Sequence, residues 1–413
     1  MNNDFKQKLQ EREFLALKDS HHVILKWATG CGKSKMTIDL INNWLPKYEQ
    51  YGSMDILFVV AERAHIKNWE DELDKWSPNF DTAVSKHITI MCYNSLSKAK
   101  NKHWDVIVFD EAHHMFTEKR MAIITEGIYA PIVYMLSATL SSSKIDMAEE
   151  IFGKFTISTV TLKDAIASDI LPDPKVYVIG MELDNTKRYQ EIRIGDNPNA
   201  PLIKWEDRAK YIYKNIPCII QCTEAQKNLY MTTTMEYWKQ RYERSHSEFQ
   251  RTKWVNMGSQ RKRFLGELKT NAVRTLIAKL PKRKRYVCFC ASVNQANALS
   301  SHNTISSKKT SSYNQGVIDK FNKGSIDNIY AVGMITEGMN LTNIEAGIIV
   351  QLDGKERLFI QKFGRVCRAE DPVTFIFYYK NTQDENYLKE ALENIDAKYV
   401  KHISINQLNN IKL

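Results

Sequence analysis

The sequence lacks any run of 18 or more apolar residues, and its first residues contain no apolar core of a signal peptide. These absences disfavour a membrane protein or a membrane partner, and we expect a soluble protein that stays in a cytosol-like compartment. The seven cysteines are odd in number and lie mostly in apolar, strand-like runs, which indicates reduced thiols. The spacings between Cys218, Cys222, Cys288 and Cys290 are poor for a zinc site.

The length and the charge of the chain indicate its domain number and its partners. With 413 residues the chain is long for one hydrophobic core and suits two domains. Its 58 lysines and arginines outnumber its 48 aspartates and glutamates, which gives a formal net charge of +10. This positive excess favours a polyanionic partner, although it could also serve solubility alone.

A glycine-rich segment near the start of the chain has the pattern of a phosphate-binding loop. It reads Ala-Thr-Gly-Cys-Gly-Lys-Ser over residues 28–34, between a short apolar run and a helical pattern, with Trp27 where the motif has its first glycine. Its backbone N–H groups would point at phosphate oxygens, Lys33 would reach the β- and γ-phosphates of ATP, and Ser34 would ligate Mg²⁺. The alternative is a glycine-rich turn with a chance Lys-Ser. The predicted ATP-binding residues here are Thr29, Gly30, Cys31, Gly32, Lys33 and Ser34.

Two adjacent carboxylates follow an apolar strand later in the chain. Residues 106–109 run into Asp-Glu-Ala-His, and Asp110 lies 77 positions after Lys33 (110 − 33). Asp110 can hold the Mg²⁺ shell, and Glu111 can take a proton from the water that attacks the γ-phosphate. Taken alone, the segment could also be a solvated acidic turn. A further strand ends at small residues that could sense the metal site and pass its state to a neighbouring domain, namely Ser137, Ala138 and Thr139.

These segments, in this order, resemble the motifs of a known family. The loop, the Asp-Glu-Ala-His segment and Ser-Ala-Thr look like motifs I, II and III of superfamily 2 helicases with a DEAH box. The match covers nearly the whole chain, because residues 57–76 are similar to motif Ia of Swi/Snf-like and small phage translocases, and residues 286–292, 331–341 and 361–368 resemble motifs IV, V and VI. The resemblance implies an α/β fold of two tandem RecA-like domains, each a parallel sheet flanked by helices, with ATP between them and nucleic acid across both.

The resemblance also implies roles for residues far from the loop. In the sixth motif, Gln361, Arg365 and Arg368 are three or four positions apart, so one helix can direct all three into the cleft between the domains. The two guanidiniums would neutralise charge on the transferring phosphoryl group. Gln10 could reach an adenine edge or be an ordinary exposed helical residue. Further expected contacts are Gly338 and Asn340 with ATP, and Arg63, Tyr93, Ser95, Ser292 and Thr336 with nucleic acid.

The domain boundaries are predicted from a proline-marked linker and from the helical patterns. We expect a first RecA-like domain over 1–170, a second over 171–382 and a C-terminal helix and tail over 383–413. A basic helical insertion is predicted at about 223–280 within the second domain. Residues 183–217 show little periodicity and stay unassigned. Three basic residues of the insertion are candidates for contact with nucleic acid, namely Arg261, Lys262 and Arg263. The alternative is that they belong to a merely solvated face.

The expected function is that of an ATP-dependent motor on nucleic acid. The chain is most similar to UvsW-like phage helicases of branched DNA, which implies an enzyme that couples ATP hydrolysis to movement along DNA and to its unwinding or remodelling. Such an enzyme would be phage-encoded, cytoplasmic in a bacterium or an infected host cell, and active in replication, recombination or repair. It would use ATP and Mg²⁺ and bind single-stranded, forked or branched DNA, beside other replication or recombination proteins. An RNA helicase, a duplex-DNA translocase without strand separation and a non-catalytic nucleic-acid clamp remain as alternatives.

Overall fold

The fold was analysed in a computed structural model of the chain. The structure describes residues 3–49, 53–77, 87–333, 341–353, 356–367, 369–393 and 395–410. In these residues the chain forms two α/β lobes, each with a parallel sheet between helices, and this confirms the predicted class of two tandem RecA-like domains. None of the described helices is both long and apolar enough to cross a membrane.

The first lobe is built on a parallel sheet with six strands in the described residues. β2, β4 and β5 are buried at every position, as expected of a parallel sheet with both faces covered. The strands are β1 (His22–Trp27), β2 (Ile56–Val60), β3 (Ile88–Cys92), β4 (Val106–Phe109), β5 (Ile132–Leu136) and β6 (Thr156–Val160), in the order β3-β2-β4-β5-β1-β6. The helices are α1 (Asn3–Leu17), α2 (Lys33–Glu49), α3 (Arg63–Trp76), α4 (Glu118–Gly127), α5 (Ser142–Phe152) and α6 (Leu162–Ala167).

The strand order of the first lobe brings three predicted motifs to one edge. β5 lies between β1 and β4 and is parallel to both. The phosphate loop, the Asp-Glu-Ala-His segment and Ser-Ala-Thr follow the carboxyl ends of β1, β4 and β5 respectively. The carboxyl edge of an open parallel sheet is where such folds bind their ligands.

The second lobe contains a parallel sheet with seven strands in the described residues and a small mixed sheet beside it. Its strands are β7 (Lys175–Met181), β8 (Gln190–Ile194), β9 (Leu202–Lys204), β10 (Cys218–Cys222), β11 (Tyr286–Phe289), β12 (Thr304–Ser306), β13 (Asn328–Val332), β14 (Ala346–Ile349), β15 (Val373–Tyr379) and β16 (Val400–Ser404). The large sheet has the order β12-β13-β11-β14-β15-β7-β16, and the small one β8-β10-β9. The helices are α7 (Arg208–Tyr213), α8 (Glu224–Ser245), α9 (Glu248–Leu268), α10 (Thr270–Ile277), α11 (Val293–Leu299), α12 (Ser311–Asn322), α13 (Glu356–Val366) and α14 (Gln383–Leu392).

Two segments differ from what the sequence predicts. The unassigned stretch 183–217 contributes β8 and β9 to the small sheet, whose core includes Ile192, Ile220 and Trp205. The segment predicted as a tail contains β16, which pairs with β7 from Val400 to Ser404. Both elements are short and polar on one side, so their strand patterns are weak in the sequence.

The insertion predicted at about 223–280 contains α8, α9 and α10. A capping box of Thr223 and Gln226 starts α8, and a left-handed residue, His246, ends it before α9 returns along it. At the other end of α9, Lys269 is completely buried, and its ammonium group donates to Val350 O at 3.0 Å and to Asp384 Oδ2 at 2.7 Å. This ion pair joins the base of the hairpin to the core of the second lobe.

Candidate functional site

A cavity of about 1250 Å³ lies at the carboxyl edge of the first sheet and is lined from both lobes. Its wall joins residues that are up to 359 positions apart (365 − 6). The volume suits a nucleotide-sized ligand. Among the lining residues, the first lobe supplies Gln10, Thr29, Gly30, Gly32, Lys33, Ser34, Asp110 and Glu111, and the second supplies Arg365.

The loop that follows β1 has the backbone shape expected for a phosphate cradle. Gly30 and Gly32 have φ angles of 97° and 94°, in the left-handed region that favours glycine. Lys33 begins α2, and its ammonium group donates to the backbone oxygen of Trp27 at 2.9 Å. A Cβ at position 32 would lie 2.1 Å from Nε2 of Gln10, so any larger residue here would have to displace the end of that side chain.

Trp27 explains the departure of the loop from the usual motif. Its side chain is completely buried, and its indole N–H donates to Ser158 Oγ at 2.7 Å. Ser158 in turn donates to Glu13 Oε2 at 2.6 Å. Through these hydrogen bonds the Trp27 side chain connects β1 to β6 and to α1. The backbone oxygen of Trp27 still accepts the hydrogen bond from Lys33.

Asp110 is held by two side chains from α3. Trp69 donates its indole N–H to Asp110 Oδ2 at 2.9 Å, and Nδ1 of His65 lies 3.5 Å from the same oxygen. Burial opposes ionisation of Asp110, but His65, Trp69 and the charge of Lys33 outweigh it, and the pKa of Asp110 is lowered. Burial likewise opposes the charge on His65, yet Asp110 raises the pKa of that imidazole. The carboxylate is thus kept in its charged form.

Glu111 has a backbone conformation that is uncommon for its residue type. Its φ of 46° and ψ of 54° place it in the left-handed region. Its Oε2 lies 3.3 Å from Nδ1 of His113, and the same nitrogen is 3.5 Å from Ser137 Oγ. Ser137 donates to the backbone oxygen of Thr139 at 3.0 Å. These contacts join the carboxylates to the predicted coupling segment, in which Ser137 is buried and Ala138 packs against the core.

The site has the groups that ATP and Mg²⁺ need. Gln10 is buried, and its amide nitrogen has no hydrogen-bond partner among the described residues, although the side chain lines the cavity. The ionised Asp110 and the hydroxyl of Ser34 line the same cavity. No group of three or more His, Cys, Asp or Glu side chains in the described residues could hold a metal by itself. Proteins usually hold Mg²⁺ with one or two side chains together with substrate phosphates, and Asp110 and Ser34 would be those side chains here.

Two family models match the chain. Residues 2–142 match the model described as the type III restriction enzyme, res subunit, and residues 268–370 match the helicase conserved C-terminal domain. The chain is a superfamily 2 helicase. It is therefore an enzyme that hydrolyses ATP, and the cavity lies where its two helicase domains meet.

Solved structures of helicases share the fold of this helicase at low sequence identity. S. cerevisiae Dbp5 bound to RNA and ADP BeF3 has a TM-score of 0.59 and 11% identity, over 98% of this chain and 91% of that one. The helicase domain of Pyrococcus furiosus Hef has a TM-score of 0.52 and 14% identity, over 95% of this chain and 99% of that one. No curated protein sequence matches the helicase.

Several residues predicted to contact nucleic acid are instead in the interior of the helicase. Tyr93 is buried beside Phe109, and its hydroxyl donates to the backbone oxygen of Asp110 at 3.0 Å. Ser292 is a buried N-cap of α11, and Arg261 is buried and donates to Thr232 Oγ1 at 3.1 Å. These side chains do not face solvent, so their predicted role is corrected to packing and capping.

Other predicted contacts lie in different places. Arg63 and Ser95 line a second groove of about 390 Å³ on the first lobe. Lys262 forms an ion pair with Asp353 at 3.0 Å, and Arg263 is exposed. Cys31 is buried beneath the phosphate loop. Outside the described residues lie Thr336, Gly338, Asn340, Arg368 and the side chain of Gln361.

His65 and Trp69 are residues of the site that the sequence motifs do not predict. Both lie on α3, four positions apart and hence on one face, and this face lines the cavity between the lobes. The opposite face of the same helix carries Arg63 and Lys67 into the second groove. The spacing was visible in the sequence, but a His and a Trp at helical spacing usually indicate core packing.

Proposed function

We propose that this helicase is an ATP-driven motor that moves along DNA, with Mg²⁺ as the metal for hydrolysis. One observation carries the proposal: Lys33, Asp110 and Glu111 of the first lobe and Arg365 of the second line a single cavity. A site shared between two lobes is complete only when the lobes are close, so hydrolysis changes their separation. Nucleic acid that lies across both lobes is moved by that change.

Each side chain has one task in the proposed reaction. Lys33 binds the β- and γ-phosphates, and Asp110 and Ser34 would hold Mg²⁺, which would supply positive charge to the phosphates. Glu111 accepts a proton from the attacking water, and Arg365 neutralises charge on the γ-phosphoryl group. The contacts of His113 with Glu111 and Ser137 then pass the state of the site to the Ser-Ala-Thr segment.

The assignment to DNA rests on the motifs and on the charge. The Asp-Glu-Ala-His segment and the resemblance to UvsW-like phage helicases favour a DEAH-box enzyme of branched DNA. The formal net charge of +10 favours a polyanion in general. On the same grounds we propose phage origin and action in the cytoplasm of a bacterium or an infected host cell.

The test is ATP turnover measured with single-stranded DNA, duplex, fork, four-way junction and single-stranded RNA of matched length. We expect DNA forks and junctions to stimulate turnover most strongly. The Lys33→Ala variant serves as the control for contaminating ATPases. Stimulation by RNA alone would show that the substrate is RNA and not DNA. If none of the five nucleic acids stimulates turnover, the proposal of a motor is rejected.

A further inference from the structure

The α8–α9 hairpin projects from the second lobe and has no buried core at its far end. No residue of α8 is buried, and every residue from 236 to 256 is at least partly exposed. The base of the hairpin differs, because Phe264, Leu265 and Gly266 of α9 are buried. A Cβ at Gly266 would lie only 2.1 Å from the Cβ of Ala291. The hairpin is therefore fixed at its base, and its far end reaches into solvent.

Aromatic rings are concentrated at this far end. The ring centre of Trp238 lies 5.2 Å from that of Tyr237 and 6.1 Å from that of Phe249. A second pair, Tyr242 and Trp254, stacks at 5.9 Å and joins the two helices. Phe249 is nevertheless 63% exposed and Tyr237 is 51% exposed. Folding of the hairpin does not account for two large rings left in water.

Positive charge lies beside these two exposed rings. The guanidinium of Arg241 is 5.4 Å from the centre of the Tyr237 ring, and the ammonium of Lys253 is 5.5 Å from that of Phe249. Residues 236–256 contain five lysines and arginines and three glutamates. The glutamates lie 3.2–4.0 Å from two of the other three cations, in the pairs Glu236–Lys239, Glu243–Lys239 and Glu248–Arg251.

We propose that the far end of the hairpin binds unpaired nucleobases at a strand junction. Phe249 and Tyr237 would stack on the bases, and Lys253 and Arg241 would contact the adjacent phosphates. An exposed ring beside a cation is the combination with which proteins hold single strands, because every base has a stacking face and every nucleotide a charge. The alternative partner, an apolar protein surface, is disfavoured, because it would bury the unpaired cations beside the rings without a counter-charge. The proposal rests on the proposed function in one respect, namely that the motor acts on nucleic acid.

The test uses the full chain and a DNA fork with 2-aminopurine at the first unpaired position. Binding of the unchanged protein should alter the fluorescence of that base through stacking. The Phe249→Ala/Tyr237→Ala variant should lose the change and bind the fork at least about 5-fold more weakly, because the loss of one stacking contact alone weakens binding by about 5- to 150-fold. Phe249→Leu keeps apolar bulk without a ring and should behave as Phe249→Ala does. Wild-type binding and fluorescence in the double variant would overturn the proposal.

Val255→Ala is the matched control. Val255 is 52% exposed on the same hairpin and has no ring, so its loss should leave fork affinity and fluorescence unchanged. Equal weakening by Val255→Ala would show a general effect on the hairpin and would also overturn the proposal. A matching melting temperature establishes that each variant is folded. If the fork fails to stimulate ATPase in the unchanged protein, the proposed function fails; if it stimulates and the ring variants bind normally, only the stacking site fails.

Discussion

Gly364 of α13 lies against Thr29 of the phosphate loop, so that a Cβ at position 364 would be 3.0 Å from the Cβ of Thr29. The two residues belong to different lobes. Gly364 precedes Arg365, which lines the cavity, and Thr29 precedes the glycine turn that leads to Lys33. The lobes therefore meet at a place where even a methyl group on residue 364 would be crowded.

A larger residue at position 364 should keep the lobes from closing. We expect Gly364→Val to lower nucleic-acid-stimulated kcat by about 10-fold or more, because closure is needed to complete such a site. Gly316→Val is the matched control, because Gly316 lies in α12 and a Cβ there meets nothing within 4 Å. Steady-state ATPase assays compare the two, and equal rates would show that this contact does not limit closure.

The indole of Trp69 should contribute to the affinity for Mg²⁺ by positioning Asp110. Trp69→Phe keeps the ring and removes the N–H that helps to lower the pKa of Asp110. We expect the Mg²⁺ concentration for half-maximal ATPase to rise by about 10-fold, as is common when such supporting hydrogen bonds are lost. Trp44→Phe is the matched control, because it removes a buried indole hydrogen bond of equal length, to the hydroxyl of Tyr134, away from the site. A similar change in both variants would argue for a general loss of stability.

The sequence predicts the α/β fold and the core of the site because the strands are long apolar runs that end at the motifs. Lys33 and Asp110 could be placed together, since parallel strands share one carboxyl edge. Trp69 could not be placed, because its contact with Asp110 depends on how α3 docks on β2, where the indole packs on Phe58 at 4.7 Å. Tyr93 was assigned to the surface because a Tyr-Asn-Ser sequence gives no signal of burial.

Glu111→Gln and Lys33→Ala should separate the chemical step from binding. The amide of Gln cannot accept the proton, so we expect ATP to bind while turnover falls by about 10²–10⁴-fold. Lys33→Ala removes the phosphate contact and should weaken binding of ATP as well. A fluorescent ATP analogue measures affinity, and a phosphate-release assay measures turnover. Wild-type turnover in Glu111→Gln would mean that another group is the base.

Asp353 should stabilise the protein at neutral pH and lose this effect in acid. It lies 3.0 Å from Nζ of Lys262 on α9 and 3.3 Å from Nζ of Lys362 on α13. Burial opposes its charge, but the two lysines outweigh burial and lower its pKa. Because the pKa of Asp353 is lower in the folded state, its ionised carboxylate stabilises the folded protein at pH values above the unfolded pKa of about 4. This stabilisation is lost as the pH falls through the pKa of the folded state.

We therefore expect Asp353→Asn to lower the urea midpoint at pH 7, with a smaller difference from the unchanged protein below about pH 4. Asp371→Asn is the control, because its pair with Lys175 is exposed and should matter little at either pH. Urea unfolding followed by circular dichroism gives the midpoints. If the difference in urea midpoint between Asp353→Asn and the unchanged protein stays constant with pH, the charge of Asp353 does not stabilise the folded state.

The buried Lys269 makes the α8–α9 hairpin a lever arm. With 22 residues, α8 extends about 33 Å at 1.5 Å per residue. Because Lys269 fixes the base to the lobe, the arm turns with the lobe as one body. A lobe rotation of about 10° would sweep the far end through about 6 Å, close to the rise of two base pairs. A small closure around ATP is thereby enlarged to the scale of a step along a nucleic acid.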